Sequence, residues 1–301
     1  MPRPPASPTL PELRFRTTPR DRYLAAMLYE HRALTARQIA ELAFPSLRAA
    51  NRRLAELAQL AVTDRTAART SPHTTGPYLY TLGPAGALLV GAAHDLSVKE
   101  LRYDRAVLLR QAARPDLPHT LGCNTLMIHL AVRHRTDPSV RLTTWWGPIS
   151  CLRLWGDAIR PDAYAVTTHQ PATAGSGLGW FFEYDTGTES ITQLAAKLRA
   201  YHRFSQNYTG HHPVLIHLPT TSREQRLHEV IAETYGPSPV PVATTTGELA
   251  EHVWRIVGED PTRAGLHPLA DLHAAFTAGG YRLLPAQTSD HEIYAPNPTR
   301  D

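Results

Sequence analysis

The stretch "WFFEYDTGTES", Trp180 to Ser190, restricts the folds open to this chain more than any other. Its aromatic first half reads as a buried β-strand. Glu183 and Asp185 stand two positions apart, and side chains two apart on a strand share a face. Two like charges beside an aromatic-rich core cost free energy unless something neutralises them. Upstream, "IRPDAYAVTTH" reads as a partner strand beginning near Asp162, joined to the first by the Gly-rich turn "PATAGSGLG". In that hairpin Asp162 and Glu183 approach across the ladder. Downstream, "SITQLAAKLRAYHRFS" is helical, with Ile191, Leu194, Leu198 and Tyr201 on one face and Lys197 off it. Tyr201 and His202 are read as packing and surface residues.

The flanking pattern extends this unit. "HTLGCNTLMIHLAVRHR" reads as a helix, "VRLTTWW" as a strand and "CLRLW" as a short second strand. After the Lys197 helix come strand "PVLIHL", helix "SREQRLHEVIAETY", strand "VPVATTT" and a predicted helix "GELAEHVWRIV". Antiparallel strands followed by crossover units predict an α/β sandwich with a mixed sheet. The tail holds one further helix, "PLADLHAAFTAG".

The N-terminal third has a different pattern. "DRYLAAMLYEHR" is helical, with Leu24, Met27 and Leu28 on one face. In "ALTARQIAELAF", Thr35 and Gln38 have the spacing of a capping box, Ile39 and Leu42 point inward, and Pro45 ends the helix. Ser46 caps a third helix, "SLRAANRRLAELAQL", with an apolar stripe of Leu47, Ala50, Leu54 and Leu57. Strands "AVTDR" and "PYLYTL" around the polar loop "TAARTSPHTTG" follow, then a short helix in "GPAGALLVGA". Three helices and a β-hairpin are the order of a winged helix-turn-helix, whose third helix enters the major groove. Arg48, Asn51, Arg52 and Arg53 on that helix are candidates for phosphate and base contacts, and Arg65, Arg69 and His73 for contacts from the wing. The alternative is a solvated helix face on a protein-binding module.

Charge supports the first reading. Residues 1–100 hold 13 Lys and Arg against 8 Asp and Glu, a net of +5, whereas the remainder holds 18 against 19. The expected partner is double-stranded DNA. Only two cysteines, Cys123 and Cys151, are present, with no zinc-ligand spacing, which points to a reducing, cytoplasmic location. No apolar run has the length of a membrane span, and "MPRPPASPTLPELRFRTTPR" lacks the apolar core of a secretory signal. The expected organisation is a loose arm over 1–19, the winged module over 20–93, a connector over 94–118, the α/β domain over 119–260 and a tail over 261–301.

The acidic pair carries the chemistry. Asp162 with Glu183 is the oxygen-rich combination that Mg²⁺ or Mn²⁺ takes, and an ammonium at Lys197 would stabilise developing phosphate charge. Only Lys99 and Lys197 among the 31 basic residues are lysines, so each is an unusual choice in this chain. Asp185 has another reading: "DTG" is a turn signature, and Asp185 or Thr186 would cap the next helix, with Glu189 favoured by its dipole. Glu183, in mid-strand, has no such alternative.

"RPDA" on one strand, "EYD" on the next and a lysine on the following helix resemble the PD-(D/E)xK nuclease core. With a preceding winged helix, the run "RPDAYAV…FFEYDTGTES…KLRAY" resembles the replication-relaxation proteins of actinobacteria and plasmids, which are similar to MobC-type relaxases. The resemblance implies a restriction-endonuclease-like second domain, metal ligation by Asp162 and Glu183, and a catalytic set of Asp162, Glu183, Asp185 and Lys197. It also implies partners in replication or conjugation. Two departures stand against a complete set: Asp185 occupies the position of the motif lysine, and "GCNTLMIHL" offers Asn124 where an acid is usual. Metal-dependent nicking of mobile-element DNA is one expectation. A non-enzymatic DNA-binding regulator or assembly factor on a nuclease-like scaffold is the other.

Overall fold

The computed structural model describes residues 8–71, 74–111, 114–137, 141–168, 177–249, 252–259 and 265–287. It is a mixed α/β protein of two compact units, one within residues 1–124 and one within 125–294. No helix among the described residues is long and apolar enough to cross a membrane.

The first unit begins with a helix where the sequence suggested a loose arm. Helix α1 (Leu10–Arg16) is started by Thr9, whose N–H donates to the Glu12 carboxylate at 2.7 Å, and it buries Leu13 completely. Helix α2 (Pro19–His31) follows, capped by Thr18 and Asp21. Strand β1 (Leu34–Thr35) leads into α3 (Ala36–Ala43), where the Thr35–Gln38 capping box forms as its spacing predicts. Helix α4 (Leu47–Gln59) is capped by Ser46 and buries Ala50, Leu54 and Leu57. Leu47, expected in that stripe, is 43% exposed. It stands at the first helical position, where the packed stripe has not yet begun.

Strands β2 (Thr63–Ser71) and β3 (Thr74–Leu82) form a ladder longer than the sequence suggested. Most of the segment read as a polar loop is paired, since backbone pairing in a hairpin needs no apolar side chains. The sheet order is β1-β3-β2, and α5 (Pro84–Ala93) and α6 (Arg105–Gln111) follow in the same unit.

Helix α7 (Leu117–Thr136) precedes a seven-stranded sheet. Its strands are β4 (Arg141–Trp146), β5 (Ala163–Thr168), β6 (Leu178–Tyr184), β7 (Val214–His217), β8 (Val242–Thr245), β9 (His252–Ile256) and β10 (His267–Pro268), side by side in that order. β4, β5 and β6 are antiparallel, β6, β7 and β8 parallel, and β8, β9 and β10 antiparallel again. Crossover helices α9 (Ile191–Ser205) and α10 (Thr221–Tyr235) join the parallel strands, and α11 (Leu272–Ala278) lies near the end of the described chain.

Two segments differ from expectation. "CLRLW" belongs to helix α8 (Pro148–Trp155), because Pro148 at its first turn is pre-organised for a helix. "EHVWRIV" contains strand β9 rather than a helix. Trp254 and Ile256 are buried and Arg255 between them is exposed, a period of two that β8 selects by pairing Ala243 with Ile256.

The core of the second unit lies between the sheet and α8, α9 and α10. Trp146, Trp155, Tyr164, Phe181, Leu198, Phe204, Val214 and Val242 pack there. Phe181 meets Trp155 edge-on at 5.0 Å between ring centres and Tyr201 at 5.2 Å. Each buried aromatic of this kind contributes about 1.5–3 kcal/mol by area. Gly179, paired with Val166, leaves room for the Tyr164 hydroxyl, which would lie 2.2 Å from an added Cβ. The other sheet face, with Trp145, Trp180 and Phe182, is buried as well, which explains why β5 and β6 read as nearly continuous apolar runs.

Candidate functional site

The acidic residues gather at the β5–β6 edge beneath α9. Phe181 points to the helix layer, so Glu183 two residues on points the same way. Asp162 stands one step before Ala163, which is paired with Phe182, and this places Asp162 beside Glu183 as expected. Its carboxylate accepts the Tyr184 N–H at 2.8 Å, and its own N–H donates to the Phe182 carbonyl at 3.0 Å. Asp162 therefore closes the ladder with the same side chain that faces Glu183.

Glu183 is 4% exposed. The Tyr201 hydroxyl donates to its Oε1, and the Lys197 ammonium approaches its Oε2 at 3.3 Å. Lys197 also reaches Glu189 at 3.0 Å. Lys197 and Tyr201 are four apart on α9, so both project onto one turn of the surface over β6. Lys197 is the cation the strand face required. Tyr201 is the residue that sequence reasoning assigned to packing alone. The signal was present: a tyrosine at an inward position needs a partner for its hydroxyl.

Burial, then the neighbouring Asp162, push the Glu183 carboxyl up to about 7, against the lowering effect of Lys197 and of the Tyr201 hydrogen bond. Burial would lower Lys197, but Glu183 and the other carboxylates prevail and hold it above its ordinary value. Burial and Glu183 together raise Tyr201 well above the usual phenol range. Between the ordinary value of 4.5 and about 7 the folded chain holds the Glu183 proton more tightly than the unfolded chain. Its contribution to stability is thus complete below about pH 4.5 and lost as pH rises through about 7. Glu183→Gln cannot ionise, so the melting temperature of the variant relative to the parent is expected to rise across that window. A difference that stays constant with pH would refute the assignment.

Asp185 is engaged elsewhere. Two nitrogens of Arg223, on α10, grip its carboxylate, and Nη2 lies 3.0 Å from Oδ1. That same Oδ1 accepts the Gly187 N–H at 2.9 Å, a turn that Gly187 permits with φ +82°. Arg223 also donates to the Glu189 carbonyl. The cap of α9 is Ser190, neither Asp185 nor Thr186. The turn reading of Asp185 fits this geometry, with an ion pair that spacing did not reveal.

A divalent metal fits this arrangement poorly. Both Glu183 oxygens are taken by protein donors, Asp162 already accepts a backbone N–H, and an ammonium lies against the carboxylates. Among the described residues no three His, Cys, Asp or Glu side chains group as metal ligands. Hard cations such as Mg²⁺ and Mn²⁺ want free oxygen ligands.

The basic residues of the first unit separate into two groups. Arg48, Asn51 and Arg52 are exposed on α4, and neither arginine has an acidic partner among the described residues. Arg37, on α3, is exposed in the same way. Arg53 is different: it binds the fully buried Asp21 through Nε at 3.1 Å and Nη2 at 2.6 Å, and also contacts Glu56. On β2, Arg65 lies over the Tyr78 ring at 4.5 Å. The side chain of Arg69 and the whole of His73 lie outside the described residues.

Fold and site together define a two-unit mixed α/β protein with a basic helix face in one unit and a closed acid–lysine network in the other. The chain belongs to the replication-relaxation family, whose profile matches residues 26–215, more than half its length. No curated protein matches it.

Proposed function

We propose that this chain is a double-stranded-DNA-binding protein of plasmid or mobile-element replication or transfer, and that it binds without cutting. In this reading the first unit is a winged helix-turn-helix and the second a nuclease-like frame retained for assembly with replication or transfer proteins. The observation that carries it is the exposed trio Arg48, Asn51 and Arg52 on one face of α4, its arginines without acidic partners among the described residues. Arginines left unpaired on the third helix of such a module are suited to phosphates and guanine edges. Membership of the replication-relaxation family supports the biological setting.

The test is a gel shift over a range of salt. Arg48→Ala with Arg52→Ala is expected to weaken binding and to reduce the slope of log affinity against log salt by about one for each phosphate no longer neutralised. Unchanged binding and slope would remove α4 from the interface. Supercoiled plasmid incubated with the protein in Mg²⁺ or Mn²⁺ is expected to stay supercoiled.

Metal-dependent nicking is the second reading, favoured by the convergence of Asp162, Glu183 and Lys197 on one point of the sheet. Nicked circles that need a divalent cation and disappear in Glu183→Gln would establish it in place of the first.

A further inference from the structure

Phe15 is 93% exposed, far more than any other large apolar side chain among the described residues. It does not sit on a loose tail. Helix α1 is held at its start by the Thr9–Glu12 hydrogen bonds, in its middle by buried Leu13, and beyond its end by Thr17, whose hydroxyl donates to the Leu13 carbonyl at 2.7 Å. Arg22 donates to the Thr17 carbonyl at 3.0 Å. A single exposed apolar side chain is ordinary on a protein surface; what sets Phe15 apart is its near-complete exposure on an anchored helix among charged neighbours.

Two observations indicate what covers it. The first is charge: exposed Arg14 and Arg16 flank Phe15, and Glu12 is the one acid of the helix. An apolar protein-binding patch would have apolar neighbours, whereas an exposed ring with an exposed arginine on either side in the sequence suits a polyanion with an apolar interior. The second is position. Arg53 Nη2 donates to the Arg16 carbonyl at 3.0 Å while its other contacts hold Asp21. The end of α1 is therefore fastened to the flank of α4, at the residue next to Arg52.

We infer that α1 is a docked arm of the DNA interface, and that Phe15 wedges against a base step beside the groove that α4 enters. This rests on the DNA-binding reading of α4 and extends it to a second element. Proteins that insert apolar side chains between base steps partly unstack them, with arginines contacting the adjoining groove and backbone. In this arrangement Arg53 is a positioning residue: it touches no DNA but sets where Phe15 stands.

The experiment uses the full chain and a short mixed-sequence duplex containing 2-aminopurine, with affinity measured as salt is varied. Phe15→Ala is expected to bind about tenfold more weakly, as loss of an aromatic–base contact predicts. It should leave the salt slope unchanged, because no charge is removed. Phe15→Trp is expected to bind like the parent, and 2-aminopurine emission should rise with the parent and with Phe15→Trp but not with Phe15→Ala. The ring is exposed, so the melting curve of Phe15→Ala should match the parent. Parental affinity and emission in Phe15→Ala, alongside weakened binding in the Arg48 and Arg52 variants, would overturn the wedge and leave the α4 reading standing. Binding indifferent to all these changes would overturn both. A change in self-association with unchanged DNA binding would assign Phe15 to a contact between copies and overturn the wedge.

Discussion

Asp185→Ala is expected to destabilise the protein by about 3 kcal/mol, the scale on which removing one partner of a buried ion pair operates. The Asp185 side chain is 3% exposed and that of Arg223 18% exposed, so the guanidinium left behind is mostly out of water. The Gly187 N–H loses its acceptor at the same time. The loop from Asp185 to Ser190 would then lose its attachment to α10 just before α9 begins. Asp185→Asn keeps an oxygen for Gly187 and discards the charge, so an intermediate loss is expected. All five tryptophans, Trp145, Trp146, Trp155, Trp180 and Trp254, lie in the second unit, so tryptophan fluorescence in urea follows this change directly. Equal stability of parent and Asp185→Ala would show that the pair is energetically neutral.

Asp21→Ala should be comparably severe in the first unit, at about 3 kcal/mol. One carboxylate performs two tasks there. It accepts the Thr18 N–H at 2.8 Å, completing the start of α2, and it receives two nitrogens of Arg53. The Asp21 side chain is 1% exposed and that of Arg53 25%, so the surviving arginine keeps part of its hydration. This places the loss at the lower end of the range for buried pairs. Because Arg53 also holds the Arg16 carbonyl, α1 should loosen together with α2. The far-UV circular dichroism midpoint is the measurement, and a shift no larger than that of an exposed acid-to-alanine change would contradict the role assigned to Asp21.

Much of this was legible in the chain itself. The Thr35–Gln38 box, the Ser46 cap and the buried Ala50, Leu54 and Leu57 are local patterns, and local patterns survive folding. Glu183 was legible because a mid-strand acid among aromatics demands an explanation, and Lys197 because lysine is rare here. The failures have a common cause. "CLRLW" and "EHVWRIV" are short apolar runs compatible with either period, and the choice was made by Pro148 in one case and by pairing with β8 in the other. Arg223 lies 38 positions from Asp185, and only the docking of α10 brings them together. Arg53 looked equivalent to Arg48 and Arg52 because helical spacing gives a face but not a partner. Its partner is Asp21 on α2, 32 positions back in the chain.

The succession β4 to β10 across the large sheet has a consequence for how the protein is made. Among the described residues each strand lies beside the one synthesised just before it, and none is inserted between two already in place. A nascent chain can thus extend the sheet from one margin as it emerges, with α9 and α10 closing over each added parallel strand. Such a sequence of additions keeps the separations between paired strands short for a sheet containing parallel pairs, and so limits the time for which an unfinished edge is open to a stray chain.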